Sequence, residues 1–189
     1  EIYDRLVMDG EEHVSIASLA PDLFCITFNG LSKSHMIAGW RIGWISISGN
    51  KRIGKGLIEG INMMSNMRLC SNVPAQSIVQ TALGGQQMGE RHLVPGGRLY
   101  EQREYVYNAL NAIPGIHCVM PKGAFYVMMD VTGLFGKISN NVIIRDSMTF
   151  AQELLEYADV AVVPGSAFCT EGFCRLSYAT SLEQIDRGL

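Results

Sequence analysis

Apolar and polar residues alternate in short blocks along the first half of the chain, and the blocks differ in rhythm. The run Phe24-Cys25-Ile26-Thr27-Phe28 is apolar but for Thr27, itself a strand-favouring residue, and predicts a buried strand. Ile42-Gly43-Trp44-Ile45-Ser46-Ile47 predicts a second, with a polar loop between the two. Residues 51–67 are rich in Ile, Leu and Met and predict a helix, although Gly54, Gly56 and Gly60 weaken its propensity while permitting close packing. The adjacent Met63 and Met64 read as core filling. Another helix is expected over 73–87, where Pro74 suits a first turn and Gly84-Gly85 a kink or an early end.

Pro95-Gly96-Gly97 then punctuates the pattern. Beyond it Leu99, Val106, Leu110 and Ile113 recur at helical spacing and predict a helix over 98–112, ended by Pro114-Gly115. A short strand at 116–120 and a stronger one at 124–131 follow, then a loop-rich stretch over 132–141. The next helix is expected from 148 to 157, capped by Asp146 or Ser147, with Phe150, Leu154 and Leu155 on its apolar face. Strands at 160–163 and 174–178, and a last helix capped by Thr180 or Ser181, complete the order. This mixture predicts an α/β protein of two domains, residues 1–100 and 101–189, the second a small α/β sandwich of its own.

Composition narrows the class. The 189 residues are 48% apolar and 17% charged, enough for a packed core and unlike a disordered chain. A net charge of −3 and a pI near 5.8 argue against a nucleic-acid-binding surface. No apolar run approaches the length of a membrane span, and the opening residues do not read as a signal peptide. The cysteines Cys25, Cys70, Cys118, Cys169 and Cys174 form no CxxC pair, and most sit in apolar segments. They are expected to be reduced, buried thiols of a cytoplasmic protein, with Cys174, beside Arg175, the one candidate to line a site. His13, His35, His92 and His117 have no metal-ligand spacing, so no metal is expected, and His35 is expected in a loop or at the surface.

The candidate chemistry lies in the loop between the first two strands. Lys33 sits in Asn29-Gly30-Leu31-Ser32-Lys33-Ser34-His35, and Arg41 follows it by eight residues. A lone lysine in a polar loop is usually a solvated charge. Held against apolar walls, however, a lysine amine becomes a usable nucleophile, and an arginine nearby offers a rigid fork for phosphate or carboxylate. The pair therefore suits an aldehyde cofactor that carries a phosphate. Arg175 raises a separate question. Strand alternation puts it on one face with Ser177, opposite Leu176 and Tyr178, and an arginine in so apolar a strand requires an anionic partner.

Ser32-Lys33 followed by Gly39-Trp40-Arg41-Ile42-Gly43 resembles the pyridoxal-phosphate lysine signature of class I aminotransferases, and Arg175-Leu176-Ser177-Tyr178-Ala179 is similar to a second motif of that family. Residues 67–103 look like the bacterial alanine (glutamate–pyruvate) aminotransferase branch; Met36 departs from the family, which more often has a small residue there. The resemblance implies a fold type I architecture, with the rest of a large cofactor-binding domain followed by the small domain. It implies pyridoxal 5′-phosphate as cofactor, with Lys33 as the catalytic residue bonded to it. Arg41 and Ser32 would hold its phosphate, Tyr3 would donate to its ring oxygen, and Arg175 would take the substrate carboxylate. The implied reaction moves an amino group between an amino acid, alanine or a related small or acidic one, and a 2-oxo acid, in a homodimer with no nucleic-acid or membrane partner. Arg68 is an interface candidate without a catalytic role. A carbon–sulfur lyase and the pyridoxal-phosphate-binding sensor domain of a transcription regulator remain alternatives.

Glu1-Ile2-Tyr3 resembles the end of the family's Asp-Glu-Ile-Tyr run, whose Asp pairs with the pyridine nitrogen and would precede Glu1. The expectation is a C-terminal half of a longer protein, trimmed inside its last helix, inactive alone and weak or absent in cofactor binding. Titration of the isolated chain with pyridoxal phosphate should therefore give no lysine-adduct absorbance band; such a band, abolished by Lys33→Ala, would contradict the expectation.

Overall fold

The computed structural model describes residues 1–87 and 89–189. They pack as two compact units, Glu1–Arg91 and His92–Leu189. The boundary expected at 100/101 falls inside a helix that begins at Arg98 and lies wholly within the second unit.

The first unit runs α1 (Ile16–Leu19), β1 (Cys25–Gly30), β2 (Gly43–Ser48), α2 (Lys55–Arg68), α3 (Val73–Gln76) and α4 (Val79–Gly84). β1 and β2 pair antiparallel in unbroken register from Cys25↔Ser48 to Gly30↔Gly43. Both expected strands are thus present, each displaced slightly toward its C-terminus. The loop joining them is anchored at both ends, because Leu31 and Ile42 are buried against Ala75 of α3. Ile37, Trp44, Ile78, Val79 and Ala82 close around that small core.

The helix expected over 73–87 is broken in two. Asn72 caps α3 by accepting from the Ala75 amide at 3.3 Å, and Pro74 sits in its first turn. At Ser77 the hydroxyl donates back to the Pro74 carbonyl at 2.7 Å, a local bond that competes with the helical ladder. α4 then stops at Gly84. A second expectation is corrected in α2, which buries none of its residues: Met63 and Met64 are 64% and 72% exposed rather than core filling. The core cluster around Leu31, Ile42 and Ala75 is built from the loop, β2, α3 and α4, and contains no residue of α2.

The second unit runs α5 (Arg98–Asn111), β3 (His117–Cys118), β4 (Tyr126–Asp130), β5 (Ile138–Ser139), β6 (Val142–Ile143), α6 (Ser147–Ala158), β7 (Val163–Pro164), β8 (Phe173–Ser177) and α7 (Leu182–Gly188). An antiparallel sheet of order β3-β4-β8-β7 forms its middle, and the β5–β6 hairpin lies within and just beyond the stretch expected to be loop. Leu99, Val106 and Leu110 are buried along α5, as their spacing requires. The helix also buries Gln102 and Arg103, and a buried charge has to find partners. Arg103, 1% exposed, donates to the Pro121 carbonyl at 3.0 Å and Glu104 at 2.9 Å, and lies over the Tyr100 ring. Gln102 and Arg98 both donate to the Thr180 carbonyl, at 2.6 and 2.7 Å, which ties α5 to the start of α7.

Asp146 caps α6 as expected, accepting from the Thr149 amide at 2.7 Å. The apolar face assigned to this helix is only partly the buried one. Its buried positions are Ser147, Thr149, Ala151 and Glu153, while Phe150 and Leu154 are half-buried and Leu155 is 54% exposed. Small side chains at 147 and 151 let the helix axis come close to the sheet, and that close approach outweighs the larger apolar groups.

Leu110 is 2% exposed in the middle of this packing. Leu110→Ala should destabilise the unit by about 2–5 kcal/mol, read as a lower urea midpoint with an unchanged denaturant slope.

Candidate active site

Gly30 and Gly43 form the last pair of the β1–β2 ladder, and the chains approach so closely that a Cβ on Gly30 would lie 2.5 Å from the Ile42 carbonyl oxygen. Ser32 and Arg41 each stand two residues beyond that pair, so they leave the same end of the ladder with Lys33 beside them. The loop folds tightly: His35 N–H donates to Leu31 O at 3.2 Å and Met36 N–H to Lys33 O at 3.3 Å. Met36 (φ 57°) and Arg41 (φ 55°) are both left-handed, a conformation that costs a non-glycine residue on the order of 1 kcal/mol or more. At Arg41 the Ala38 carbonyl helps hold it, accepting from Nη1 at 2.6 Å and from the backbone N–H at 3.4 Å. Lys33 and Ser32 are half-buried and Arg41 is exposed; among the described residues no carboxylate pairs with Arg41.

His35 braces the loop from outside. Its Nε2 lies 2.9 Å from the Ala82 carbonyl, which only accepts, so Nε2 donates and Nδ1 accepts from the Ser34 hydroxyl at 2.9 Å. The loop placement expected for His35 holds, but its role as a strut from the lysine loop to α4 was not legible in the sequence. Such a role needs a partner 47 residues away.

Tyr3 belongs to the same neighbourhood through its flanking residues. The Glu1 nitrogen donates to the Phe28 carbonyl, Asp4 accepts from Asn29 Nδ2 at 2.8 Å, and the Ile2 side chain packs over Gly30. Tyr3 itself is half-buried in a turn closed by Leu6 N–H on its carbonyl at 2.9 Å. Arg68, in the last turn of α2, is exposed.

Arg175 lies in the second unit, on β8. Alternation holds there as expected: Cys174 and Tyr178 are fully buried while Arg175 is half-buried on the other face. Cys174 therefore lines no site; its thiol, pushed up to about 11 by burial, is aimed at the Ser147 carbonyl. Burial likewise raises the Tyr178 phenol to about 12, and its hydroxyl donates to Ala124 O at 3.2 Å. The anionic partner expected for Arg175 is absent among the described residues. Its guanidinium carbon lies instead 4.4 Å from the Tyr126 ring centroid and 4.5 Å from that of Phe168.

The other cysteines are free, with Cys118 buried, Cys25 half-buried, and Cys70 and Cys169 exposed, so burial is less general than expected. Among the described residues no group of three or more His, Cys, Asp or Glu is placed to hold a metal. No described helix is long and apolar enough to cross a membrane.

The family profile described as aminotransferase class I and II matches residues 1–189, the whole chain. The chain belongs to that family. Among curated relatives, this aminotransferase-family chain is 48% identical over 169 residues to the glutamate–pyruvate aminotransferase AlaA of Escherichia coli K12, covering 89% of the chain and 40% of the relative. It is 46% identical, over the same length, to the alanine aminotransferase of Mycobacterium tuberculosis H37Rv, covering 89% of the chain and 38% of that relative. A crystal structure of an Escherichia coli aminotransferase superposes with a TM-score of 0.88 at 42% identity, over all of this chain and 46% of the other. The mixed α/β architecture is thus part of the fold type I aminotransferase fold. The chain spans about two fifths of the length of the curated relatives it matches.

The turn carrying Phe168 is tied to α6 of this aminotransferase-family chain by Glu171. Its carboxylate accepts from Ser147 N–H at 2.6 Å, Gly172 N–H at 2.9 Å and the Ser147 hydroxyl at 3.1 Å. These bonds, the Ser147 amide foremost, hold the Glu171 carboxyl below its ordinary value of 4.5. A group with a depressed folded pKa stabilises the fold above its ordinary value and loses that contribution as pH falls through the folded one. The urea midpoint should therefore drop below about pH 4.5, and the drop should be shallower in Glu171→Gln; an identical slope would count against the brace.

Proposed function

We propose that this chain carries the lysine-bearing part of a pyridoxal-phosphate-dependent aminotransferase that moves an amino group between an amino acid and a 2-oxo acid. The observation that carries the reading is the joint placement of Ser32, Lys33 and Arg41 at one end of the β1–β2 ladder, with Arg41 uncommitted to any carboxylate among the described residues. An amine, a hydroxyl and a guanidinium paired with no carboxylate are the donors that an aldehyde bearing a phosphate requires, so the residues present fit this cofactor. When bound, it supplies an amine-exchanging aldehyde and an electron-withdrawing ring.

In this reading the first unit is the C-terminal part of the large cofactor-binding domain and the second is the small domain. Lys33 Nζ would hold the aldehyde and, once displaced from it by the substrate amine, would be the base that takes and carries the proton from the substrate α-carbon. Arg41 and Ser32 would bind the phosphate, the guanidinium as a fork and the hydroxyl as a single donor. The Tyr3 phenol would donate to the ring oxygen O3′. Arg175 receives the substrate α-carboxylate, orienting the α-carbon. The names of the relatives in Escherichia coli and Mycobacterium tuberculosis support alanine as amino donor. The reading includes a homodimer, with exposed Arg68 a candidate for its interface.

The whole protein, given alanine and 2-oxoglutarate, should produce pyruvate and glutamate in equal amounts. Lys33→Ala should lower that rate by at least about 10²-fold. Ammonia released from the amino acid without any 2-oxo acid acceptor would identify a lyase and overturn the reading.

A further inference from the structure

Arg175 occupies an unusual setting for an arginine in the middle of a small sheet. It pairs in register with Met128 on β4 and Val163 on β7, both apolar neighbours. No ion pair or hydrogen bond engages its side chain among the described residues; what holds it is two aromatic rings, Tyr126 and Phe168. The difference matters chemically. A carboxylate neighbour consumes N–H donors of the guanidinium, whereas a ring attracts the cation through its quadrupole and takes up none of them.

Both rings are fixed by backbone that the site itself does not use. Tyr126 opens β4 and pairs with Ser177, so it sits diagonally across the sheet from Arg175. Phe168 ends a turn (Gly165–Phe168) that only glycine can begin, because a Cβ at 165 would lie 2.0 Å from the Thr170 carbonyl oxygen and 2.6 Å from that of Phe173. The turn closes with Thr170 N–H on Gly165 O at 2.9 Å, and Glu171 ties the residues just after it to α6. Phe168 is nevertheless 43% exposed, so it is not held there to fill a core.

We propose that Tyr126 and Phe168 are positioning residues, an aromatic seat that orients the Arg175 guanidinium without neutralising it, so that its N–H fork is kept for the carboxylate of the ligand. The inference rests on the reading of Arg175 as the carboxylate-binding residue and deepens it: carboxylate affinity depends on two rings that need not touch the substrate.

The test uses the whole protein and two readouts, competitive inhibition by propionate, a carboxylate with no amine to react, and the split between KM and kcat for alanine. Phe168→Leu and Tyr126→Leu should each weaken propionate and raise the KM for alanine by roughly three- to thirtyfold, with kcat at saturation changed much less. Phe168→Tyr and Tyr126→Phe, which keep a ring, should restore most of that affinity. Arg175→Ala serves as the reference. Loss of propionate binding in Arg175→Ala with none in either leucine variant overturns the seat alone. Equal losses in the leucine and ring-keeping variants overturn it too, since shape rather than the ring face would then matter. Unchanged propionate binding in Arg175→Ala overturns the parent reading of Arg175. If Phe168→Leu does not fold, Tyr126→Leu decides by the same criteria.

Discussion

The close approach of two glycines, Gly30 and Gly43, at the end of the β1–β2 ladder is the constraint on which the first unit depends. With no side chain at 30, the strands come near enough for the next residues outward, Leu31 and Ile42, to turn into one small core. With those two buried, Ser32, Lys33 and Arg41 leave the same end of the ladder. Burial of the apolar pair thus does the positioning, and the polar residues are carried with it. The left-handed backbone at Met36 and Arg41 is a local cost of folding the loop back on itself, offset by bonds to Ala38 and by the His35 strut to α4.

The second unit reaches the same end by another route. Strand alternation sends Cys174 and Tyr178 inward, so Arg175 faces outward on the opposite side of β8. What it meets there is set by a turn anchored at Gly165, which brings the Phe168 ring to the guanidinium, and by the Glu171–Ser147 bonds that tie the residues just after that turn to α6. Arg41 in the first unit and Arg175 in the second are each placed by their neighbours, and among the described residues neither pairs with a carboxylate.

Elements whose signal was local were legible in advance. The two strands around the lysine loop, the long helix α5 with its periodic Leu99, Val106 and Leu110, the Asp146 cap and the alternation around Arg175 all depend on residues a few positions apart. Misreadings came where burial depends on what the chain brings back from far away. Met63 and Met64 are apolar, yet the core formed elsewhere and left them exposed; Leu155 lost its place to the small residues Ser147 and Ala151. Cys174 sits next to Arg175 in sequence, but a strand sends adjacent side chains to opposite faces.

The sequence by itself determined the order of the elements, the run that holds Ser32, Lys33 and Arg41, the motif around Arg175 and, through these, the aminotransferase family of the chain. Those are properties of residue identity at fixed short spacing. Tertiary structure alone decided that Tyr126 and Phe168, 42 residues apart, take the place of an anion beside Arg175, and that His35 reaches the Ala82 carbonyl. No local pattern encodes such contacts. They follow from where strands and turns meet in space, and a half-buried cation with no carboxylate beside it settles on the aromatic faces that the packing brings to it.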